Sequence, residues 1–280
     1  KKMNLEILFI TLVSFIVLLL GATYLVTNIV LLAKKINVSQ FIIASCTIAF
    51  GTTMPELATS LKSIFSNHPG IAVGNLIGSN IANIGLVLGL TALIAPLTIE
   101  ERVLKEEAPP LIVASLLIVG FAWNNYMDRI EGGVMLILLF VYLWKTFGKK
   151  ENHEMELEED SHFLGNKGSA IQSCLVLAGL VMLVLGANWM VFGSTGIARH
   201  MGISEWFIGI SIVAVGTSLP ELVSSMIAAK RGHGEMAIGN VFGSNIFNIL
   251  LVMGAASSIH PLTIEENIHP DLIYATGITC

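Results

Sequence analysis

The stretch GTTMPEL at residues 51–57 returns almost unchanged as GTSLPEL at residues 216–222. A second stretch, GNLIGSNIANI at 74–84, returns as GNVFGSNIFNI at 239–249, and PLTIEE at 96–101 returns at 261–266. Every pair is offset by 165 residues, with no insertion between the motifs. The constant offset indicates a duplicated segment and decides how the rest of the chain is interpreted.

The composition is that of a polytopic membrane protein. Of its 280 residues 54% are hydrophobic and 12% charged, and the mean hydropathy is +0.78, which is far more apolar than a soluble domain of this size. A helix needs about 20 apolar residues to cross a bilayer. The first such run is too long for a signal-peptide core and is interpreted as a retained span. The runs are 5–33, 40–66, 71–96, 108–124, 130–147, 169–198, 204–229 and 235–259, and a ninth begins near Asp271.

The first repeat holds five spans before the linker, so the second repeat enters the membrane from the opposite side. The predicted fold class is an all-α polytopic membrane protein with two inverted-topology five-helix repeats. Ten spans are expected in all, the last two incomplete or absent in this chain. The predicted domains are a first repeat at 1–147 with its motif at 51–84, a linker at 148–168, and a truncated second repeat at 169–280 with its motif at 216–249. Inverted repeats of this kind place a substrate site between them at the midplane.

The linker carries six acidic residues between 151 and 162. We interpret it as a solvated connection, and a small calcium-sensing segment is the alternative. Lys and Arg favour cytoplasmic loops. With the linker on the cytoplasmic side, that side collects ten of the 15 basic residues, which supports this orientation.

Two glutamates, Glu56 and Glu221, occupy equivalent positions in the middle of apolar runs. A carboxylate at a helix centre costs roughly 2.5 to 3.5 kcal/mol on insertion scales, so such residues usually face the bundle interior and mark an ion pathway. Each follows a proline, which breaks the helix and frees backbone oxygens around Thr52 and Thr217. Freed carbonyls are tolerated in a membrane only where they line a cavity or hold a cation.

Further oxygen-bearing side chains recur on the same helix faces. Residues three or four apart share a face, so each glutamate is joined by two hydroxyls, and each second motif carries a polar stripe. The hydroxyls are Thr52, Thr53, Thr217 and Ser218, and the stripes are Asn75, Ser79, Asn83 and Asn240, Ser244, Asn248. Such residues are also common between packed membrane helices. The glycines Gly74, Gly78, Gly239 and Gly243 predict close helix approach.

The predicted site contains carboxylate, hydroxyl, amide and carbonyl oxygens, without His or Cys. Such hard ligands suit calcium, which takes 6 to 8 oxygens, and sodium, and they do not suit zinc or copper. Two negative charges would neutralise one calcium ion. No cofactor is expected.

The two copies of G-T-[TS]-x-P-E-L and G-N-x-x-G-S-N-I-x-N-I resemble the alpha repeats of the cation/calcium antiporter superfamily, in its sodium/calcium exchanger branch. The resemblance covers nearly the whole chain. It implies a prokaryotic-type exchanger in the cell membrane, with a cytoplasmic linker too short for a large regulatory domain. Four central sites would take one calcium and three sodium ions, and electrogenic exchange would proceed by alternating access.

By position, the resemblance assigns the cation ligands to both repeats. The glutamates would be shared by calcium and sodium, and the remaining ligands would be hydroxyls, amides and two backbone oxygens. They are Glu56, Glu221, Thr52, Thr53, Thr217, Ser218, Ser79, Ser244, Asn83 and Asn248, with the backbone oxygens of Ala49 and Ala214. Some family members carry aspartate where this chain has Asn248, which argues against potassium co-transport and a third carboxylate-linked site.

Three other interpretations stay open on the sequence alone. A proton/calcium antiporter, or one for another divalent cation, would use the same glutamates to carry protons. An intramembrane enzyme would use them as acid and base, although catalytic pairs usually need unlike environments and these two lie in nearly identical ones. A channel is the third. The expected partners are calcium and sodium ions and the lipid bilayer, with no nucleic acid and no obligatory protein partner, and the chain is not expected to be an enzyme.

Overall fold

The computed structural model describes residues 5–36, 38–65, 69–98, 101–148, 169–202, 214–264 and 269–279. These residues form a bundle of helices with one pair of two-residue strands. The acidic part of the predicted linker, 151–162, lies outside the described residues.

The first half consists of long helices that are interrupted at defined points. Two of its spans contain a π-helical segment, in which the backbone hydrogen bonds join residues five apart instead of four. In order, the elements are α1 Leu5–Ile36, α2 Gln40–Ile43, π1 Ala44–Ile48, α3 Ala49–Thr52, α4 Met54–Phe65, α5 Pro69–Ala82, π2 Asn83–Leu88, α6 Gly89–Ile94, α7 Glu101–Ala122, β1 Tyr126–Met127 and α8 Arg129–Gly148.

The second half repeats the same order of interruptions. Its elements are α9 Ser169–His200, α10 Ala214–Thr217, α11 Leu219–Lys230, α12 Gly234–Phe247, π3 Asn248–Met253, α13 Gly254–Ile259, β2 Leu262–Thr263 and α14 His269–Thr279. Adding 165 to the bounds of α3, α4, α5, π2 and α6 gives those of α10, α11, α12, π3 and α13 without exception. The duplication read from the motifs therefore extends to the helix boundaries.

Six helices among the described residues are long and apolar enough to cross a bilayer. Each coincides with one of the apolar runs in the sequence, and a shorter apolar helix, Glu107–Ala122, matches the predicted span at 108–124. Of the run at 204–229, residues 204–213 lie outside the described residues, and α10 and α11 form the rest. The six are Leu5–Ala33, Phe41–Phe65, Pro69–Ile94, Arg129–Phe147, Ile171–His200 and Gly234–Ile259.

The first helices of the two halves, α1 and α9, pack together in opposite directions. Three glycines allow the close approach, since a Cβ on Gly21 would lie 2.5 Å from the backbone nitrogen of Leu183. A Cβ on Gly186 would lie 2.6 Å from the nitrogen of Leu18, and one on Gly179 would lie 2.7 Å from that of Leu25. Positions 18, 21 and 25 of α1 therefore contact positions 186, 183 and 179 of α9, so that residue numbers increase along one helix as they decrease along the other. Equivalent helices are therefore antiparallel, as inverted repeats require.

The predicted close approach at Gly239 and Gly243 is confirmed. A Cβ on Gly239 would lie 2.7 Å from the carbonyl oxygen of Phe41, and one on Gly243 would collide with the carbonyl oxygen of Ser45. Helix α12 thus packs directly on the backbone of α2 and π1. Gly74 and Gly78 have no described atom within 4 Å of an added Cβ. Positions 206 and 210, which the offset makes equivalent to Phe41 and Ser45, lie outside the described residues.

A short β-ladder connects the two halves at one end of the bundle. Strands β1 and β2 pair antiparallel, with Tyr126 opposite Thr263 and Met127 opposite Leu262. Met127 and Leu262 are fully buried, so the ladder packs on the apolar core. The all-α fold class is confirmed. The ladder was not predicted, because strands of two residues are too short to show a pattern in the sequence.

Candidate cation site

The repeated glutamates each lie in the first turn of a helix. Glu56 belongs to α4 and Glu221 to α11, and each side chain is only 1% exposed. The N-terminal end of a helix carries partial positive charge, which favours a carboxylate. Both carboxylates, which would be unfavourable in contact with lipid, are therefore buried inside the protein, each at a helix N-terminus.

The break before each glutamate is one residue long. Thr53, with φ −79° and ψ −6°, separates α3 from α4, and Ser218, with φ −88° and ψ 5°, separates α10 from α11. The proline two residues later has no N–H, and its ring clashes with the carbonyl four residues before it, which belongs to Gly51 or Gly216. The amide of Thr53 still donates to the carbonyl of Ala49 at 3.0 Å. The predicted broken helices are confirmed.

The two carboxylates come from opposite repeats. Glu56 and Glu221 are close enough to interact electrostatically. The side chains of Thr52, from the first repeat, and Ser244, from the second, lie beside the carboxylate of Glu221. In each glutamate Oε2 is buried and has no hydrogen-bond partner among the described residues. Each carboxylate therefore keeps one oxygen available for a cation.

Several hydroxyls around the two breaks are also buried without a partner in the described part of the chain. They are the Oγ atoms of Thr53, Ser218 and Ser244. The hydroxyl of Thr52 donates to the carbonyl of Ala49 at 3.3 Å, so its lone pairs stay free. A buried polar atom without a partner costs roughly 1 to 3 kcal/mol, and several at one place require an explanation such as a bound ion.

Two asparagines supply amide oxygens at the start of the π-helical segments. Asn83 begins π2 and Asn248 begins π3, and each is 1% exposed. The Nδ2 of Asn83 donates to the Oδ1 of Asn245 at 3.0 Å, and the Nδ2 of Asn248 donates to the Oδ1 of Asn80 at 3.0 Å. The Oδ1 atoms of both donors have no partner among the described residues.

A further pair of asparagines fixes the backbone that carries the glutamates. The Nδ2 of Asn75 donates to the carbonyl of Glu56 at 3.3 Å and to Ser60 Oγ at 3.2 Å. The Nδ2 of the equivalent Asn240 donates to the carbonyl of Glu221 at 3.4 Å. The sequence placed both residues on a polar stripe, and in the structure each connects a glutamate helix to the next helix of its repeat.

The predicted ligands lie on the segments that flank the two breaks and the two π-helical starts. The side chains that are themselves predicted ligands are all buried except that of Thr217, which is half-buried. Ala49 begins α3 and Ala214 begins α10. The contacts described above connect Thr52 and Ser244 to the glutamate pair, and coordination by each of the others stays a prediction. Sequence reasoning missed Asn80 and Asn245, although both recur in the GSN part of the repeated motif.

The donor set is made of oxygen. Among the described residues no group of three or more His, Cys, Asp or Glu side chains could hold a metal. Two carboxylates with hydroxyl and amide oxygens suit a hard cation that accepts neutral oxygen ligands, such as calcium or sodium.

Comparison with known proteins identifies one family over both halves of the chain. The profile of the family described as "Sodium/calcium exchanger protein" matches residues 6–148 and 171–279. A membrane protein of Methanocaldococcus jannaschii is 40% identical over 242 residues, which are 85% of this chain and 77% of that protein. The sodium/calcium exchanger MaX1 of Methanosarcina acetivorans is 33% identical over 298 residues, covering 91% of this chain and 85% of the relative.

The fold has a match among solved structures. A structure of the sodium-calcium exchanger NCX_Mj, soaked with zero Na+ and Ca2+, superposes with a TM-score of 0.84 at 33% sequence identity. The match covers 98% of this chain and 88% of the other.

Proposed function

Because this chain belongs to the sodium/calcium exchanger protein family, we infer that it exchanges sodium for calcium across a prokaryotic cell membrane by alternating access. It is an integral membrane transporter, and the enzyme and proton-antiporter alternatives are not favoured by its relatives. The orientation follows the sequence prediction, with residues 148–168 as a cytoplasmic linker between repeats at 1–147 and 169–280.

One observation carries the assignment of the site. Glu56 and Glu221 come from opposite repeats, are both 1% exposed, and each keep an unpartnered oxygen at the shared interface. Two carboxylates held this close repel one another, and a divalent cation between them removes both the repulsion and the unsatisfied charge. Calcium is therefore the cation that this pair stabilises best.

The neutral ligands complete the coordination. The hydroxyls of Thr52, Thr53, Ser218 and Ser244, together with further hydroxyl, amide and backbone oxygens from both repeats, would replace the water that calcium or sodium loses on entry. Sodium ions would share the glutamates and use the outer oxygens. Three sodium ions would then replace one calcium ion, so each cycle would move one net positive charge.

Alternating access follows from the placement of the site. The ligands are divided between two inverted repeats, so a movement of one repeat against the other opens the site to one face and closes it to the opposite face. With either calcium or sodium bound the glutamate charges are neutralised, whereas without a cation two bare charges would be buried. This difference disfavours movement of the empty carrier and couples the two fluxes.

The test is calcium uptake into proteoliposomes loaded with sodium. We expect uptake that depends on the outward sodium gradient and slows under an inside-negative potential, because each cycle would carry one positive charge out. Glu56→Gln and Glu221→Gln should each reduce uptake to that of protein-free vesicles. The matched control is Glu101→Gln in α7, because the Glu101 side chain is 80% exposed and pairs with Lys105.

Two outcomes would contradict the proposal. Calcium uptake that ignores sodium but follows an imposed proton gradient would make the chain a proton/calcium antiporter. Near-normal sodium-driven uptake in either glutamine variant would remove the glutamate pair from the site. A loss of uptake in a glutamine variant counts only if that variant elutes as a single species in detergent and is recovered in the vesicles in the same amount as the wild type.

A further inference from the structure

Four buried asparagines form two hydrogen bonds across the interface between the repeats. Asn83 donates to Asn245 and Asn248 donates to Asn80, both at 3.0 Å. With the offset of 165 residues, Asn83 is equivalent to Asn248 and Asn80 is equivalent to Asn245, so the two bonds join equivalent pairs. The bonds are thus one interaction made twice, once in each direction across the pseudo-twofold axis.

The direction of these bonds decides what each amide presents to the site. A carboxamide has a donor end and an acceptor end, and the end used in the bond determines which end points elsewhere. Asn83 and Asn248 both use Nδ2, which leaves Oδ1 buried and without a partner among the described residues. If both bonds were reversed, the same two residues would present N–H groups, which repel a cation.

The two kinds of asparagine differ in their place on the helix. Asn80 and Asn245 lie in regular α-helix, three residues before the π-helical segments that begin at Asn83 and Asn248. Residues three apart share a helix face. Because α5 with π2 and α12 with π3 run in opposite directions, each of these two segments offers one donor and one acceptor to the other.

We propose that Asn80 and Asn245 are positioning residues for cation binding. Each accepts the amide N–H from the opposite repeat and so turns the oxygen of Asn248 or Asn83 toward the cation. The inference rests on the proposed function, because it takes those two oxygens as ligands of a hard cation.

The alternative is that these asparagines only join the helices, as polar residues often do in membranes. A double-mutant cycle separates the two roles. In Asn248→Asp both side-chain oxygens are acceptors, so an oxygen faces the cation whichever way the group turns. Orientation by Asn80 is then unnecessary, whereas a packing role for Asn80 would be unaffected.

The experiment measures the calcium concentration that gives half-maximal sodium-driven uptake. Asn80→Ala should raise it about 10-fold, equivalent to about 1.4 kcal/mol, and should raise it less than about 2-fold when made in the Asn248→Asp background. The matched control combines Asn80→Ala with Asn83→Asp. Asn83 pairs with Asn245 and not with Asn80, so the 10-fold loss should persist there.

Equal losses from Asn80→Ala in the wild-type and Asn248→Asp backgrounds would overturn the inference. So would equal rescue by Asn83→Asp, which would show only the effect of added charge. Should Asn80→Ala fail to fold, Asn245→Ala with and without Asn83→Asp is the symmetric test. Unchanged calcium affinity in Asn248→Ala would remove that amide from the proposed site, and would overturn both its role as a ligand and the positioning role of Asn80. A loss of affinity in Asn248→Ala, with equal effects of Asn80→Ala in the wild-type and Asn248→Asp backgrounds, would overturn the positioning role alone.

Discussion

Replacing Gly243 by alanine should damage calcium binding through a helix displacement. The added Cβ would lie 2.7 Å from Ala49 Cβ and 2.7 Å from Ser45 Cα, and would collide with the carbonyl oxygen of Ser45. Ordinary contact begins at 3.4 Å, so α12 must withdraw by at least about 0.7 Å, the difference between 3.4 and 2.7. Overpacking of this kind costs about 1 to 3 kcal/mol.

The displacement acts on the site because of what lies beside Gly243. Ser244 is the next residue, and Ala49 provides one of the predicted backbone ligands on the facing segment. Binding groups must be held to within about 0.5 Å of their working geometry. We therefore expect calcium affinity to fall at least about 10-fold in Gly243→Ala, in addition to the loss of stability.

Thermal unfolding in detergent with and without calcium measures both effects. At a calcium concentration 100 times the wild-type Kd, binding stabilises the wild type by about 2.7 kcal/mol, and a 10-fold weaker variant by about 1.4 kcal/mol. The control is Gly120→Ala in α7, where no described atom lies within 4 Å of an added Cβ. Its calcium-dependent stabilisation should equal that of the wild type.

The reasoning would be refuted by a Gly243→Ala variant whose stability without calcium and whose calcium-dependent stabilisation both match the wild type. That result would mean that α12 accommodates a methyl group without moving Ser244. An equal loss of calcium binding in Gly120→Ala would refute it as well, because the effect would then not depend on the close approach to Ala49.

Three further predictions concern charge and hydrogen bonding. Lowering the pH from about 8 to about 5.5 should slow sodium-driven calcium uptake, and added calcium should restore it, because protons compete for the carboxylates of Glu56 and Glu221. A flat profile at subsaturating calcium, with the protein still folded, would contradict this. Asn248→Asp should increase the dependence on potassium or pH, and unchanged dependence would place this side chain away from the cavity. Asn240→Ala should lower thermal stability by about 1 to 3 kcal/mol and by more than Asn75→Ala, because Asn240 is 1% exposed and Asn75 is half-buried; equal losses in unfolding experiments would contradict the comparison.

The sequence predicts much of the fold because equivalent helices begin and end 165 residues apart, as the repeated motifs do. Proline at 55 and 220 predicts a break, and a carboxylate directly after it predicts a position in the bundle interior. The π-helical segments at Asn83 and Asn248 were not predicted, since six residues are too few to show a local change of periodicity in the sequence. The short strands were missed for a similar reason.

The site could be predicted in its residue types but not in its hydrogen bonds. Glu56 and Glu221 are identified by charge in an apolar run, which is a local property. Which end of the Asn83 amide stays without a partner depends on Asn245, which is 162 residues away in the sequence and is brought close only when the repeats pack. The hydrogen bond from Asn75 to the carbonyl of Glu56 could not be predicted, because its acceptor is a backbone atom that any residue possesses.

The ladder between β1 and β2 also fixes how often the chain passes through the bilayer. Two strands that exchange backbone hydrogen bonds must lie on the same face of the membrane, because such bonds cannot reach across about 30 Å of hydrocarbon. The number of passages between Met127 and Leu262 is therefore even. Three of the long apolar helices lie in that interval, Arg129–Phe147, Ile171–His200 and Gly234–Ile259, so the segment that contains α10 and α11 must provide the fourth. Since α8 crosses the bilayer once after β1, its C-terminal end at Gly148 then lies on the face opposite the ladder, a conclusion that does not need the distribution of basic residues.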